Sequence, residues 1–224
     1  MRIQIIGGLL FFAAVGFATP TGTLRIANCD GGGVTVTANT IDWLPVGGGV
    51  GCIVTGTPTN ITYSGGTLGV GVPGTIKDLP TAPLTDFMTF TGAGDLHFEL
   101  LGLGPGPANL NCAGLNPFES CSAFAGSPFA LTLAADGQQT IVSLRAFGTV
   151  TDATGYGSWN GSFSVTIPDL TPAQIASIIN TPGGSVTSTD SGSFILTAVP
   201  EPGSFALIGG GLIGLALFRR RQIS

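Results

Sequence analysis

The sequence predicts an all-β fold, a two-sheet β-sandwich or jelly roll of roughly nine to eleven short strands with one short helix. Three observations predict it. Apolar residues alternate with small polar ones at a period of two, most cleanly where Phe163, Val165 and Ile167 interleave with Ser162, Ser164 and Thr166. That is the pattern of a strand buried on one face. The 37 glycines and 15 prolines fall largely between such runs and cut them into short segments. No strand-then-helix rhythm recurs, which argues against a parallel α/β design, and no internal repeat points to a propeller or β-helix.

The first segment concerns delivery rather than fold. Met1 and Arg2 form a small positive start, residues 3–17 are apolar, and Gly16 and Ala18 place small residues at the −3 and −1 positions before Thr19. Residues 1–18 have the form of a secretory signal peptide. Signal peptidase and the general secretion machinery are the partners it implies.

Residues 19–198 then form one body, long enough for a single domain with its own core. Leu24 and Ile26, then Val34 and Val36, alternate with threonines on either side of Gly31, Gly32 and Gly33, which predicts a hairpin over residues 23–38. Residues 45–83 are rich in Gly, Pro and Thr, and predict loops over one end of the sheet with short strands near Ile53, Ile61 and Ile76. Met88 and Phe90 pair across Gly92 and Gly94 with Leu96, Phe98 and Leu100, placing His97 and Glu99 on the opposite face. Residues 102–128 are a long loop, of a length often tied to function. Phe129, Leu131 and Leu133 open a strand whose partner, residues 141–150, returns through Asp136 and Gly137. Thr171 followed by Pro172 is an N-cap with proline at the first helical position, so residues 173–179 are predicted helical. Residues 185–189 and 193–198 supply the last strands.

Four cysteines suit an oxidising compartment. Of the three formal pairings, Cys29 with Cys52 and Cys112 with Cys121 are expected, since each pair brackets a glycine- or proline-rich loop. Zinc is a poor competitor, because there is no Cys-x-x-Cys and a single histidine.

The C-terminal segment, residues 199–224, is of another kind. Pro200 and Pro202 flank Glu201 and can continue neither a ladder nor a helix. Residues 204–218 carry no charge, and Arg219, Arg220 and Arg221 follow. Fifteen helical residues rise only about 22 Å against a hydrocarbon core of about 30 Å. Such a span depends on local thinning and on arginines reaching the headgroups. The arginines hold the extreme C-terminus in the cytoplasm, with the body on the far side. This succession resembles the PEP-CTERM sorting signal of Gram-negative bacteria. The resemblance covers the last 26 residues only. It implies export, a brief stay in the inner membrane, and processing near Pro200, Glu201 and Pro202 by a membrane-embedded cysteine protease-transpeptidase, an exosortase. It also implies a cell-surface or extracellular destination, with an association with biofilm matrix or exopolysaccharide.

Composition narrows the rest. The body holds three basic residues, Arg25, Lys77 and Arg145, against eleven acidic ones, a net charge of −8. No basic footprint for nucleic acid exists, and anionic surfaces repel the body unless cations bridge them. A triad mechanism would have to use His97, and no Gly-x-Ser-x-Gly elbow is present. No acid pair sits in a motif for glycoside hydrolysis. No catalytic residue is therefore assigned, a non-enzymatic role is expected, and a secreted hydrolase ranks last. Asp30, Asp152 and Asp190 stand in turn-like surroundings whose oxygens suit Ca2+, although acids in such places most often build turns. No other cofactor or metal is expected. Tyr156 and Trp159, among flanking glycines, are the candidate aromatic contacts for carbohydrate, and a carbohydrate-binding module is the alternative function.

Overall fold

A computed structural model of the chain describes residues 20–38, 40–44, 50–79, 82–188 and 193–199. Residues 1–18 and the tail from Pro200 onward lie outside it, and with them the signal peptide, the span 204–218 and the arginine cluster. Among the described residues no helix is long and apolar enough to cross a membrane.

The fold is all-β with one helix, as the alternation predicts. Fifteen strands run in chain order among the described residues: β1 (Thr21–Asn28), β2 (Gly33–Val36), β3 (Ile41–Leu44), β4 (Gly51–Thr55), β5 (Asn60–Tyr63), β6 (Gly66–Leu68), β7 (Pro73–Ile76), β8 (Leu84–Phe90), β9 (His97–Leu103), β10 (Ser120–Cys121), β11 (Phe129–Leu133), β12 (Thr140–Thr151), β13 (Tyr156–Ile167), β14 (Val186–Ser188) and β15 (Ser193–Val199). The helix α1 (Pro172–Ile179) precedes β14. The excess over nine to eleven comes from segments of two to four residues, too short to show a period.

The large sheet closes on itself. Its order β12-β13-β15-β1-β4-β7-β8-β9 returns to β12 through a β9–β12 pairing, and every pair is antiparallel. Closure leaves this ring of eight strands without free edges, the feature that most exposes a sheet to unwanted pairing. One edge of β12 is shared: its first half takes β11 and its second half takes β9. A smaller sheet, β14-β2-β3, lies beside the ring.

Aromatic packing fills the interior. Phe87 from β8 stacks on Trp159 from β13 with centroids 6.2 Å apart. Phe163 meets Phe87 and Trp43 edge-on, at 5.9 and 5.3 Å. Trp43 comes from the small sheet, so this cluster joins the two sheets. Each such buried side chain contributes about 2–3 kcal/mol, with a further ~1 kcal/mol for a well-placed ring pair.

Two expectations need correction. β1 and β2 do not form a hairpin: β1 pairs with β15, β4 and β5, while β2 pairs with β3 and β14. The glycine turn after Cys29 carries the chain out of the ring, where Val34 and Val36 bury in the second sheet. The short strands expected near Ile53, Ile61 and Ile76 are β4, β5 and β7, but β4 and β7 are wall strands of the ring and do not lie over one end of it. Gly74 lies within β7: a Cβ there would strike the Thr89 carbonyl and sit 2.8 Å from the Phe90 ring. That glycine marks close packing inside a strand rather than a turn.

The β8–β9 and β11–β12 pairs match their predicted hairpins. The helix follows Thr171 as expected, with the Thr171 N–H donating to Gln174 Oε1 at 2.8 Å. Both disulfides are present, Cys29–Cys52 and Cys112–Cys121.

Candidate functional site

The register places both described ends of the chain at one pole of the ring. Thr23 pairs with Thr197 in the β1–β15 ladder, so the start of β1 and the end of β15 lie together. Ser158 pairs with Val199, the last described residue. The β12–β13 turn meets this pole as well, as does the β8–β9 turn through Thr151 and His97. The sorting residues Pro200, Glu201 and Pro202 follow Val199 directly in sequence and lie outside the described residues, as do Arg219, Arg220 and Arg221.

A row of polar side chains crosses the outer face at this pole. Thr151 on β12 is the direct neighbour of Tyr156 on β13 and of His97 on β9. Directly opposed residues of an antiparallel pair share a face. Tyr156 is 60 % exposed. His97 Nδ1 lies 2.7 Å from Asp86 Oδ1, with both side chains 49 % exposed. The carboxylate accepts, so Nδ1 carries the proton and Nε2 is left as the ring's second polar atom.

Asp86 reaches His97 because β8 is irregular there. Its φ is +46°, and the β8–β9 register shifts between Leu84 and Met88. Aspartate tolerates this left-handed conformation better than most residues. The shift also buries Phe87 and Met88 in succession, which regular alternation forbids. The sequence placed His97 and Glu99 on one face of their strand. Glu99 accepts a hydrogen bond from Thr149 Oγ1 at 3.1 Å.

Three turns are clasped together at the same pole. The Ser64 N–H donates to Asp152 Oδ2, and Ser64 Oγ donates to Asp95 Oδ2, both at 2.7 Å. Asp152 Oδ1 also accepts from the N–H groups of Thr154 and Gly155 and from Thr154 Oγ1. Burial by itself raises the Asp152 carboxyl, but these donors outweigh it and hold the group below the ordinary aspartate value. Asp152 is thus a turn builder with its oxygens engaged. No group of three or more His, Cys, Asp or Glu side chains that could hold a metal occurs among the described residues. Asp30 belongs to no such group, and Asp190 lies outside the described residues.

Trp159 corrects the carbohydrate reading of two rings. It is 1 % exposed and belongs to the core, while Tyr156 points outward. A spacing of three within one strand puts the two rings on opposite faces. The exposed aromatic that shares the outer face with Tyr156 is Phe147 on β12, opposite Asn160. Ser158 and Asn160 lie between them along β13. The period of two would have found Phe147 once β12 was known to bury Ala146 and Gly148.

Other spaces offer less chemistry. A cavity of about 20 Å3 between the sheets is lined by Ile26, Asn28, Trp43 and Phe163 among others, room for about one water molecule. A groove of about 630 Å3 beside the end of α1, lined by Thr37, Phe124 and Asn180 among others, carries no titratable side chain. Asp78, which accepts from the Trp43 N–H at 2.9 Å, is pushed up by burial, against that hydrogen bond and aided by Asp42. It holds β3 in place and lines neither space.

Comparison with known families gives one result for the tail. Residues 198–221 match the family model of the PEP-CTERM protein-sorting motif. The match takes in Pro200, Glu201, Pro202 and the three arginines, and reaches the ring only at Ala198 and Val199. The motif marks a chain for export, for transient membrane anchoring by its C-terminal region and for processing by an exosortase. No curated protein and no solved structure gave a significant match to the chain.

Proposed function

We propose that the ring is the cargo of this sorting signal: a non-enzymatic surface or matrix protein, released near Pro200 to Pro202 and associated with the cell's own exopolysaccharide. The observation that carries the reading is the match at residues 198–221, at the end of a β-rich, disulfide-bonded acidic body. Disulfides and a lysine-poor surface suit life outside the cytoplasm. The test is fractionation of cells making wild type and a Pro200→Ala/Glu201→Ala/Pro202→Ala variant. Wild type is expected in the medium or the matrix, and the variant in the membrane. Equal release of both would reduce the tail to a plain anchor.

A second reading, a carbohydrate-binding role, is favoured by the outer face of β12 and β13. Tyr156 and Phe147 stand about 14 Å apart there by strand geometry, with hydroxyl and amide groups between them. Aromatic faces and hydroxyls suit a neutral glycan, whereas the charge of −8 disfavours an acidic one. Binding of neutral glycans on an array, lost in Tyr156→Ala and in Phe147→Ala, is the expected result. No binding with or without Ca2+ would remove this reading.

A further inference from the structure

We infer that Tyr156, with the row Thr151, His97 and Asp86 beside it, is a docking surface for the membrane-embedded enzyme that processes the tail. The inference rests on the sorting reading and adds a contact on the folded body to the contact made by the motif.

Chain geometry carries it. The β13–β15 ladder ends at Ser158 with Val199, and Pro200 follows. Proline has no N–H, so it cannot extend the ladder as a donor. β13 itself runs two residues further, through Gly157 to Tyr156. The place where the strand hands over to the sorting motif is therefore flanked by the exposed ring of Tyr156. Only four residues, 200–203, separate Val199 from the apolar segment. Even fully extended, the five steps from Val199 to Ser204 reach about 18 Å. While the apolar segment is in the membrane, this pole of the ring stands within that distance of it. An enzyme that holds Pro200, Glu201 and Pro202 must then sit against the pole.

The surface at that pole is held by hydrogen bonds at both ends of the row. The Asp152 and Ser64 clasp fixes the β12–β13 turn next to Tyr156. Asp86 fixes the His97 ring at the other end of the row. Tyrosine offers a large contact at low entropic cost, with an apolar ring and a polar end, which is why it recurs at interface centres. The row is polar but nearly balanced in charge when His97 is protonated. The opposite pole, with Thr140 and Ile167, lies about 36 Å away by strand rise and is outside the enzyme's reach.

The experiment uses the full chain with a C-terminal epitope, made in a cell that holds the exosortase, with loss of the epitope followed after a pulse of synthesis. Tyr156→Ser is expected to slow loss of the tail at least threefold, with signal-peptide removal and disulfide oxidation unchanged. Thr151→Lys, in the same row, is the second variant and is expected to do likewise. Phe118→Ser, an exposed aromatic near the far pole, is expected to leave the rate at the wild-type value. Wild-type rates for both row variants, while the Pro200/Glu201/Pro202 variant is blocked, would overturn the docking surface and leave the sorting reading intact. Normal processing of the motif variant would remove both.

Discussion

The indole of Trp159 lies across Gly148, and its Nε1–H donates to the carbonyl oxygens of Glu99 and Thr149, 3.0 Å from each. These residues belong to β13, β12 and β9, the three strands at the seam where the ring closes. The β9–β12 register shifts between Phe147 and Gly148, so the regular ladder is interrupted there. An indole donor serves two carbonyls at that interruption, and buried carbonyls left without a donor are costly. A Cβ at Gly148 would run into the Glu99 carbonyl and stand 2.7 Å from the indole. Gly148→Val is therefore expected to destabilise the protein by about 3 kcal/mol, the cost of overpacking against backbone. Trp159→Phe is expected to cost about 2 kcal/mol by removing the shared donor. Urea unfolding of the exported protein checks both, and an unchanged midpoint for Gly148→Val would refute this account of the seam.

Phe118 occupies a place that suits glycine. It follows Pro117 in a turn closed by a hydrogen bond from the Glu119 N–H to the Asn116 carbonyl at 3.0 Å. Its φ is +69°, the conformation required at the third position of a type II turn. Its ring is 71 % exposed, so little packing is lost with it. The left-handed conformation costs an L-residue about 1–2 kcal/mol, and the added freedom of glycine in the unfolded chain returns part of that. Phe118→Gly is expected to stabilise the protein by about 0.5–1 kcal/mol, read as a higher urea midpoint at an unchanged slope.

The two disulfides close loops of different length, with sequence separations of 23 and 9. Loop-closure entropy gives roughly 3.4 kcal/mol for Cys29–Cys52 and roughly 2.6 kcal/mol for Cys112–Cys121. Cys29–Cys52 also ties the end of β1 to β4, two wall strands, whereas Cys112–Cys121 pins a surface loop to β10, outside the ring. Cys29→Ser/Cys52→Ser is thus expected to lower the unfolding free energy more than Cys112→Ser/Cys121→Ser. Equal or reversed losses would show that loop length does not set the order.

Local patterns were legible in the sequence, and long-range ones were not. The β11–β12 hairpin, α1 and the alternating half of β13 follow from neighbours in the chain, and so do both cysteine pairs. Ring closure depends on Thr151 meeting His97, 54 residues apart, across a register shift that no residue type announces. The strand near Ile76 was legible, but its start at Pro73 was not, because Gly74 gives the same signal in a strand as in a turn. Asp86 was hidden because its left-handed φ and the register shift beside it break the alternation of β8. Tyr156 and Trp159 were separable in principle, since their odd spacing puts them on opposite faces. Their glycine neighbours concealed the start of β13, and without it the parity has no origin. The tail was the most legible part because its order of charge, proline and apolar residues carries its meaning without a fold.

Asp152 ties the clasp to pH. Its folded carboxyl is held below the ordinary value, against burial, by the N–H groups of Ser64, Thr154 and Gly155 and by Thr154 Oγ1. In the unfolded chain the same group titrates near 3.9. The folded state therefore binds its proton less readily, and the group contributes stability that is fully present above the unfolded value. That contribution is lost as pH falls through the folded value. Asp152→Ala removes the acceptor and leaves the turn donors to water, at an expected cost of about 1–2 kcal/mol at pH 7 for a partly exposed charged site. The cost should shrink as pH falls from the unfolded value through the lower folded value, where wild type loses the charge as well. Urea midpoints for both proteins at pH 7, 5 and 3 measure the difference. A gap that stays constant across the three would mean that the charge of Asp152 does not hold the clasp.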